Sequence, residues 1–198
     1  VLTIALSALV SFGSVQGMRL TFFAAELDAR VAETPWLNSL TVNPEAFAAA
    51  QRAHLAATRS ALVSMRWPRV IVLFLLSSAA GVVLATALRL RWPSGIPRVV
   101  ATTLLGRAAL VAAIIRTLDG AQDLVIARAG AAAYEKTLAD NHIAGAEFGA
   151  SLLLFSIFSI INTIAVAGLF IAARNYFRSD RVLQTFALLD RAPPGANH

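Results

Sequence analysis

The chain contains no cysteine. Disulfides, thiolate nucleophiles and Cys-ligated clusters are excluded, and the redox state of the compartment leaves no mark on it. Charge is also scarce. Asp, Glu, Lys and Arg make up 14% of the residues, against about 25% in ordinary soluble domains. Lys136 is the one lysine, so the positive charge is carried by arginine. Histidine is limited to His54, His142 and His198, none of them inside an apolar block where a membrane bundle would need an axial haem ligand. A zinc site joining His54 and His142 to Glu135, Asp140 or Glu147 lacks the ligand spacing such sites use. No Ser sits in G-x-S-x-G and no Gly-rich loop follows a strand pattern. The residues therefore indicate no catalytic group, no metal and no cofactor.

Apolar side chains are abundant instead. Of 198 residues 58% are hydrophobic, and the mean hydropathy is +0.68. The excess is gathered into four blocks, at about residues 1–23, 70–88, 99–118 and 148–173. A hydrocarbon core of about 30 Å needs roughly 20 apolar residues in a helix, which each block approaches or meets. The expectation is an all-α integral membrane protein, a single membrane domain over 1–198 built as a bundle of about four transmembrane helices. The first block lacks a basic stretch before it and reads as a retained span, not a cleaved leader.

The segments between the blocks add amphipathic interfacial helices. Asn43-Pro44-Glu45 supplies an N-cap, a proline at the first helical position and an acid in the first turn, which predicts a helix over 44–66. Arg52, Arg59 and Arg66 stand seven apart on it and form one stripe, flanked by Leu55 and Leu62. A second amphipathic stretch at 179–191 carries Val182, Leu183, Phe186 and Leu189 before Pro193-Pro194-Gly195. Between the second and third blocks, Arg89, Arg91, Trp92 and Arg98 frame a short turn with Pro93, Gly95 and Pro97, which predicts an antiparallel helical hairpin. These residues, with Arg52, Arg59 and Arg66, are assigned to the lipid head-group region. Residues 119–148 read as a hydrophilic segment, helical in part, with Gly120, Gly130 and Gly145 as weak points.

The net charge of +6 does not point to nucleic acid, because the arginines flank apolar blocks and form no basic face interleaved with stacking aromatics. Basic residues are densest per unit length in the hairpin turn and the C-terminal tail, which places both termini on the cytoplasmic side. Arginine-over-lysine and alanine-rich usage points to a bacterial inner membrane.

Three groups of residues carry the functional reading. Small residues recur at Gly13 and Gly17, and again at Ser77, Gly81 and Ala85, as faces for close helix contact. Arg107 lies nine residues from both Arg98 and Arg116, ~13 Å along the axis from either, and 900° of helical turn sets it opposite to both. None of the 11 acids falls within an apolar block, so no carboxylate of the chain is expected at its depth. Ser156, Ser159, Asn162 and Thr163 make a polar stripe on the last block, and Asn162 is a second candidate contact for a partner or ligand. Arg116, Asp119 and Asp123 share one helical face and read as an ion-paired helix end. The expected function is a non-catalytic transmembrane subunit, accessory or scaffold protein of a larger membrane complex, its partners being the lipid bilayer and other membrane subunits. The rival is a transport component for a small molecule, ion or lipid, with a path lined by Arg107 and the Asn162 stripe. A membrane enzyme acting on a lipid or quinone is a third class, which needs a conserved polar constellation at one interface.

Overall fold

The computed structural model describes residues 1–22, 44–91, 97–142 and 146–191. Among them are six α-helices: α1 (Leu2–Phe22), α2 (Pro44–Ser64), α3 (Arg66–Arg91), α4 (Arg98–Asp140), α5 (Ala146–Phe177) and α6 (Asp180–Arg191). The protein is all-helical in these residues.

Three helices, α3, α4 and α5, are long and apolar enough to cross a membrane, which points to a membrane location. The helix α1, expected as the first span, does not join them. Ser7, Ser11, Ser14, Gln16 and Arg19 lower its apolar content. Its hydroxyls are nevertheless turned inward on the helix: Ser7 donates to the Thr3 carbonyl, Ser14 to Val10 O (2.8 Å) and Thr21 to Gly17 O (2.8 Å). Such back-bonding removes the need for a solvent partner.

Helix boundaries have local causes. Pro68 has no N–H, and its ring would clash with the carbonyl four residues earlier, at Ser64. That is where α2 ends. The chain passes through Met65 and resumes as α3 at Arg66, with Arg69 N donating to Met65 O at 2.9 Å. Pro68 thus lies in the first turn of α3, where the missing donor costs nothing. At the far end of α4, His142 adopts a left-handed backbone (φ 57°) and donates its N–H to Ala139 O at 3.0 Å. Asn141 caps from the side through Nδ2 to Thr137 O (2.7 Å).

The main departure from expectation is α4. Gly120 and Gly130 do not weaken it; the helix runs unbroken for 43 residues, ~65 Å at 1.5 Å per residue. That is about twice the hydrocarbon thickness of a bilayer. A helical glycine costs about 1 kcal/mol relative to alanine, and here the contacts made at each glycine outweigh it. A side chain at Gly120 would collide with Thr163, and one at Gly130 with Thr58 and with His54 Nδ1 at 2.8 Å. Glycine at these sites is what lets the facing helix approach. Gly145, residues 92–96 of the expected hairpin turn, and residues 23–43 lie outside the described residues.

The chain divides into two compact units. Unit 1 takes in Val1–Gln16, Val72–Thr117 and Ile164–His198. Its core joins Leu76, Ala79 and Val83 of α3 to Ala109, Ala112 and Ala113 of α4 and Phe170 of α5, with Leu6 and Val10 of α1 packed against it. Small side chains dominate, as expected where helix association rests on close backbone approach instead of expulsion of water. Ser11 and Ser77 hydroxyls meet at 3.2 Å between α1 and α3. The helix α6 returns to the start of α4, where Val99 N–H donates to Asp190 Oδ2 at 3.4 Å. Unit 2 takes in Gly17–Ile71 and Leu118–Thr163. There α2 rests on α4 through the Gly130 approach, and His54 and Tyr134 meet edge to face at 6.4 Å.

Candidate functional site

Unit 2 carries an open-sided cavity of about 780 Å³, within the range of small-molecule pockets. Each surrounding helix contributes a short run. The end of α1 gives Gly17, Leu20 and Thr21, and α2 gives His54, Thr58 and Leu62. The start of α3 gives Arg69, α4 gives Asp123, Ile126 and Ala127, and α5 gives Phe158, Ser159 and Asn162. Helical spacing explains the pattern: Asp123, Ile126 and Ala127 are three and four residues apart along the helix, and His54, Thr58 and Leu62 are four apart, so each set lies on one face.

The polar focus is an ion pair. Arg69 Nη2 lies 2.7 Å from Asp123 Oδ1, with 13% and 33% of the two side chains exposed. Asp123, on the face it shares with Arg116 and Asp119, therefore pairs across to α3. The pairing depends on which turn of α3 meets which turn of α4, and residue spacing along one helix carries no such information. Arg69 is only partly used by this bond. Its Nε and Nη1 are buried with no hydrogen-bond partner, as is Thr58 Oγ1. Beside it Arg66 stacks over the Phe22 ring (4.7 Å) and lies 5.9 Å from the Trp67 ring, an arrangement that suits a guanidinium in an apolar setting.

Asn162 is exposed and lines this cavity together with Ser159. Thr163 is buried and turned to Gly120. Ser156 is half-buried. Asp119 is buried, and Arg116 half-buried. Among the described residues no group of three or more His, Asp or Glu side chains could hold a metal ion. His54 lies in the cavity wall and His142 is exposed at the end of α4.

Arg107 belongs to unit 1 and Asn162 to unit 2. Arg107 is exposed, whereas Arg98 and Arg116 are half-buried. Val100, Leu104, Val111 and Ile114 are exposed with it. Their spacing of four, three, four and three residues makes a straight apolar stripe with Arg107 at its centre. The opposite face of α4, Ala101, Leu105, Ala109 and Ala112, is buried. Among the described residues no ion pair or hydrogen bond joins Arg107. Its neighbour Gly106 faces inward with the Arg178 stem laid on it, so that Arg178 Cγ lies 3.2 Å from where a Cβ would stand.

The small-residue faces are open at some positions and engaged at others among the described residues. A Cβ at Gly13 or at Gly81 would meet no atom within 4 Å, and Ala85 is exposed. Ser77 is engaged with Ser11, and Gly17 lines the cavity. Neighbouring side chains also press closely on Gly106, Gly120 and Gly130. Of the residues assigned to head groups, Arg52, Arg59 and Arg89 are exposed and Arg66 and Arg98 half-buried. The Arg91 side chain and Trp92 lie outside the described residues. No family model matches the chain, and no curated protein or solved structure shows a significant similarity to it.

Proposed function

We propose that the protein is a non-catalytic transmembrane subunit or accessory protein of a larger membrane complex, and that the outer face of α4 is where a partner subunit docks. In this reading α1 joins α3, α4 and α5 as a fourth span, α2 and α6 are interfacial, and both termini lie on the cytoplasmic side of a bacterial inner membrane. The observation that carries it is the exposed stripe Val100-Leu104-Arg107-Val111-Ile114. An arginine this far into an apolar helix costs about 2.5–3.5 kcal/mol on insertion scales. A carboxylate or carbonyl on a neighbouring helix, packed along the same heptad seam, would offset that cost. The open faces at Gly13 and Gly81 are further places for a helix to approach.

The test is recovery of associated membrane proteins in mild detergent, with the parent, Arg107→Leu and Arg107→Lys side by side. Arg107→Leu should leave the isolated chain folded and abolish association; Lys should restore it in part, since an ammonium lacks the planar donor fork. A Leu variant that associates normally, or a parent that associates with nothing, defeats the proposal. The rival transport reading keeps support only at Asn162, through the cavity that residue lines.

A further inference from the structure

We infer that the unit 2 cavity is a binding site for an uncharged amphiphile, with a carbonyl-type oxygen received beside Arg69 and Thr58 and an apolar tail along Leu20, Leu62, Ile126 and Phe158. This goes beyond the subunit reading and does not depend on it. Three observations converge. The cavity is large and most of its wall area is apolar, with Leu20, Leu62, Ile126 and Phe158 among its lining residues. Three donors on its lining residues lack acceptors: Arg69 Nε–H and Nη1–H and the Thr58 hydroxyl are buried and make no hydrogen bond. Buried donors of this kind are uncommon in folded proteins, and an oxygen acceptor in the cavity, reached by a small rotation of Thr58 or Arg69, would satisfy them.

The charge balance selects the head group. Asp123 at 2.7 Å already neutralises Arg69, so a second carboxylate would meet the Asp123 charge at close range. A cation would face the guanidinium and the same surplus of donors. A neutral acceptor meets neither obstacle. Both a quinone ring carbonyl and an acyl-ester carbonyl have this chemistry. The apolar part of the wall, in turn, matches a tail and excludes a compact polar solute.

The experiment measures saturable binding to the full chain in lipid nanodiscs, with empty discs subtracted, for three probes of equal chain length: dodecan-2-one, dodecanoate and dodecylammonium. Dodecan-2-one should saturate, and the two charged probes should bind at least tenfold more weakly. Thr58→Val should weaken the ketone about fivefold, as loss of one hydrogen bond does, without touching the ion pair. Ala127→Phe fills the cavity and should abolish binding. Asp123→Asn uncovers the Arg69 charge and should turn the preference to dodecanoate. A decyl benzoquinone and dioctanoylglycerol run beside the ketone distinguish the two sources, and tighter binding of either supports the site. Non-saturable uptake of all probes overturns the inference, as does equal binding of the three head groups. Unchanged ketone binding in Thr58→Val and Ala127→Phe, with thermal stability retained, overturns it as well.

Discussion

Unit 1 and unit 2 draw on the same long helices, α1, α3, α4 and α5, and use them in opposite ways. In unit 1 the core is alanine, leucine, valine and isoleucine around Phe170, buried hydroxyls such as Ser14, Thr86 and Thr102 bond back to carbonyls of their own helices, and Arg107 is on the outside. In unit 2 charge is inside: Arg69 and Asp123 bridge two helices, and His54, Thr58, Ser159 and Asn162 surround a cavity. Hydroxyls that bond back to their own helix leave no hydrogen-bonding demand for a ligand to meet. An interior with polar groups must satisfy each of them, and where it does not, as at Arg69 and Thr58, an unmet hydrogen-bonding demand remains that an outside molecule can fill. The difference separates a region suited to holding helices together from one suited to binding.

Substitutions can break this contrast or sharpen it. The largest effect is expected at Gly120, where unit 2 is tightest. Gly120→Leu drives a side chain into Thr163, a β-branched residue with little rotamer freedom, and should lower stability by roughly 3 kcal/mol in reversible detergent unfolding. A silent variant would mean that unit 2 is looser than the Gly120 contact implies. Next comes the ion pair. Asp123→Ala should destabilise by about 2 kcal/mol, below the ~3–5 of a fully buried pair because Asp123 keeps 33% of its side chain exposed. A double-mutant cycle with Arg69→Gln should return most of that as coupling energy; additive losses would show that the pair is not formed.

In unit 1 the effects are smaller, and at Gly81 the sign reverses. Gly81→Ala adds a methyl group where no atom lies within 4 Å and should stabilise the isolated chain by up to about 1 kcal/mol through helix propensity alone. Destabilisation on the same unfolding assay would reveal a helix contact at that face. The smallest effect is expected for Ser77→Ala, which removes the hydroxyl contact to Ser11 and should cost about 0.6 kcal/mol, the average for such bonds in membranes. A cost of several kcal/mol there would make α1 far more dependent on polar contacts than its packing implies.

The helices were legible because their signals are local. Asn43-Pro44-Glu45 announces α2, expected over 44–66 and found to end at Ser64, and apolar runs mark α3 and α5. The continuity of α4 was not legible, since the glycines at 120 and 130 carry the same local signal whether they break a helix or admit a neighbour. For the same reason spacing did not single out Gly106, Gly120 and Gly130, where neighbouring side chains press on the helix, whereas a Cβ at Gly13 or Gly81 meets no atom within 4 Å. Asn162 stood out as a polar residue in an apolar run and does line the cavity. Arg69 and Thr58 did not stand out. Each sits in a segment that already had a bland account, at a helix start and on an amphipathic face.

Composition and periodicity by themselves determined the all-helical class and the membrane-suited apolar helices, because backbone hydrogen bonding in lipid and the length of an apolar run are properties of one segment at a time. Only the tertiary structure decided that Asp123 answers Arg69, that Thr163 and His54 close on glycines of α4, and that a cavity opens between those contacts. These depend on the register between helices far apart in sequence, which is set by how their side chains interdigitate and leaves no periodic trace in any one of them.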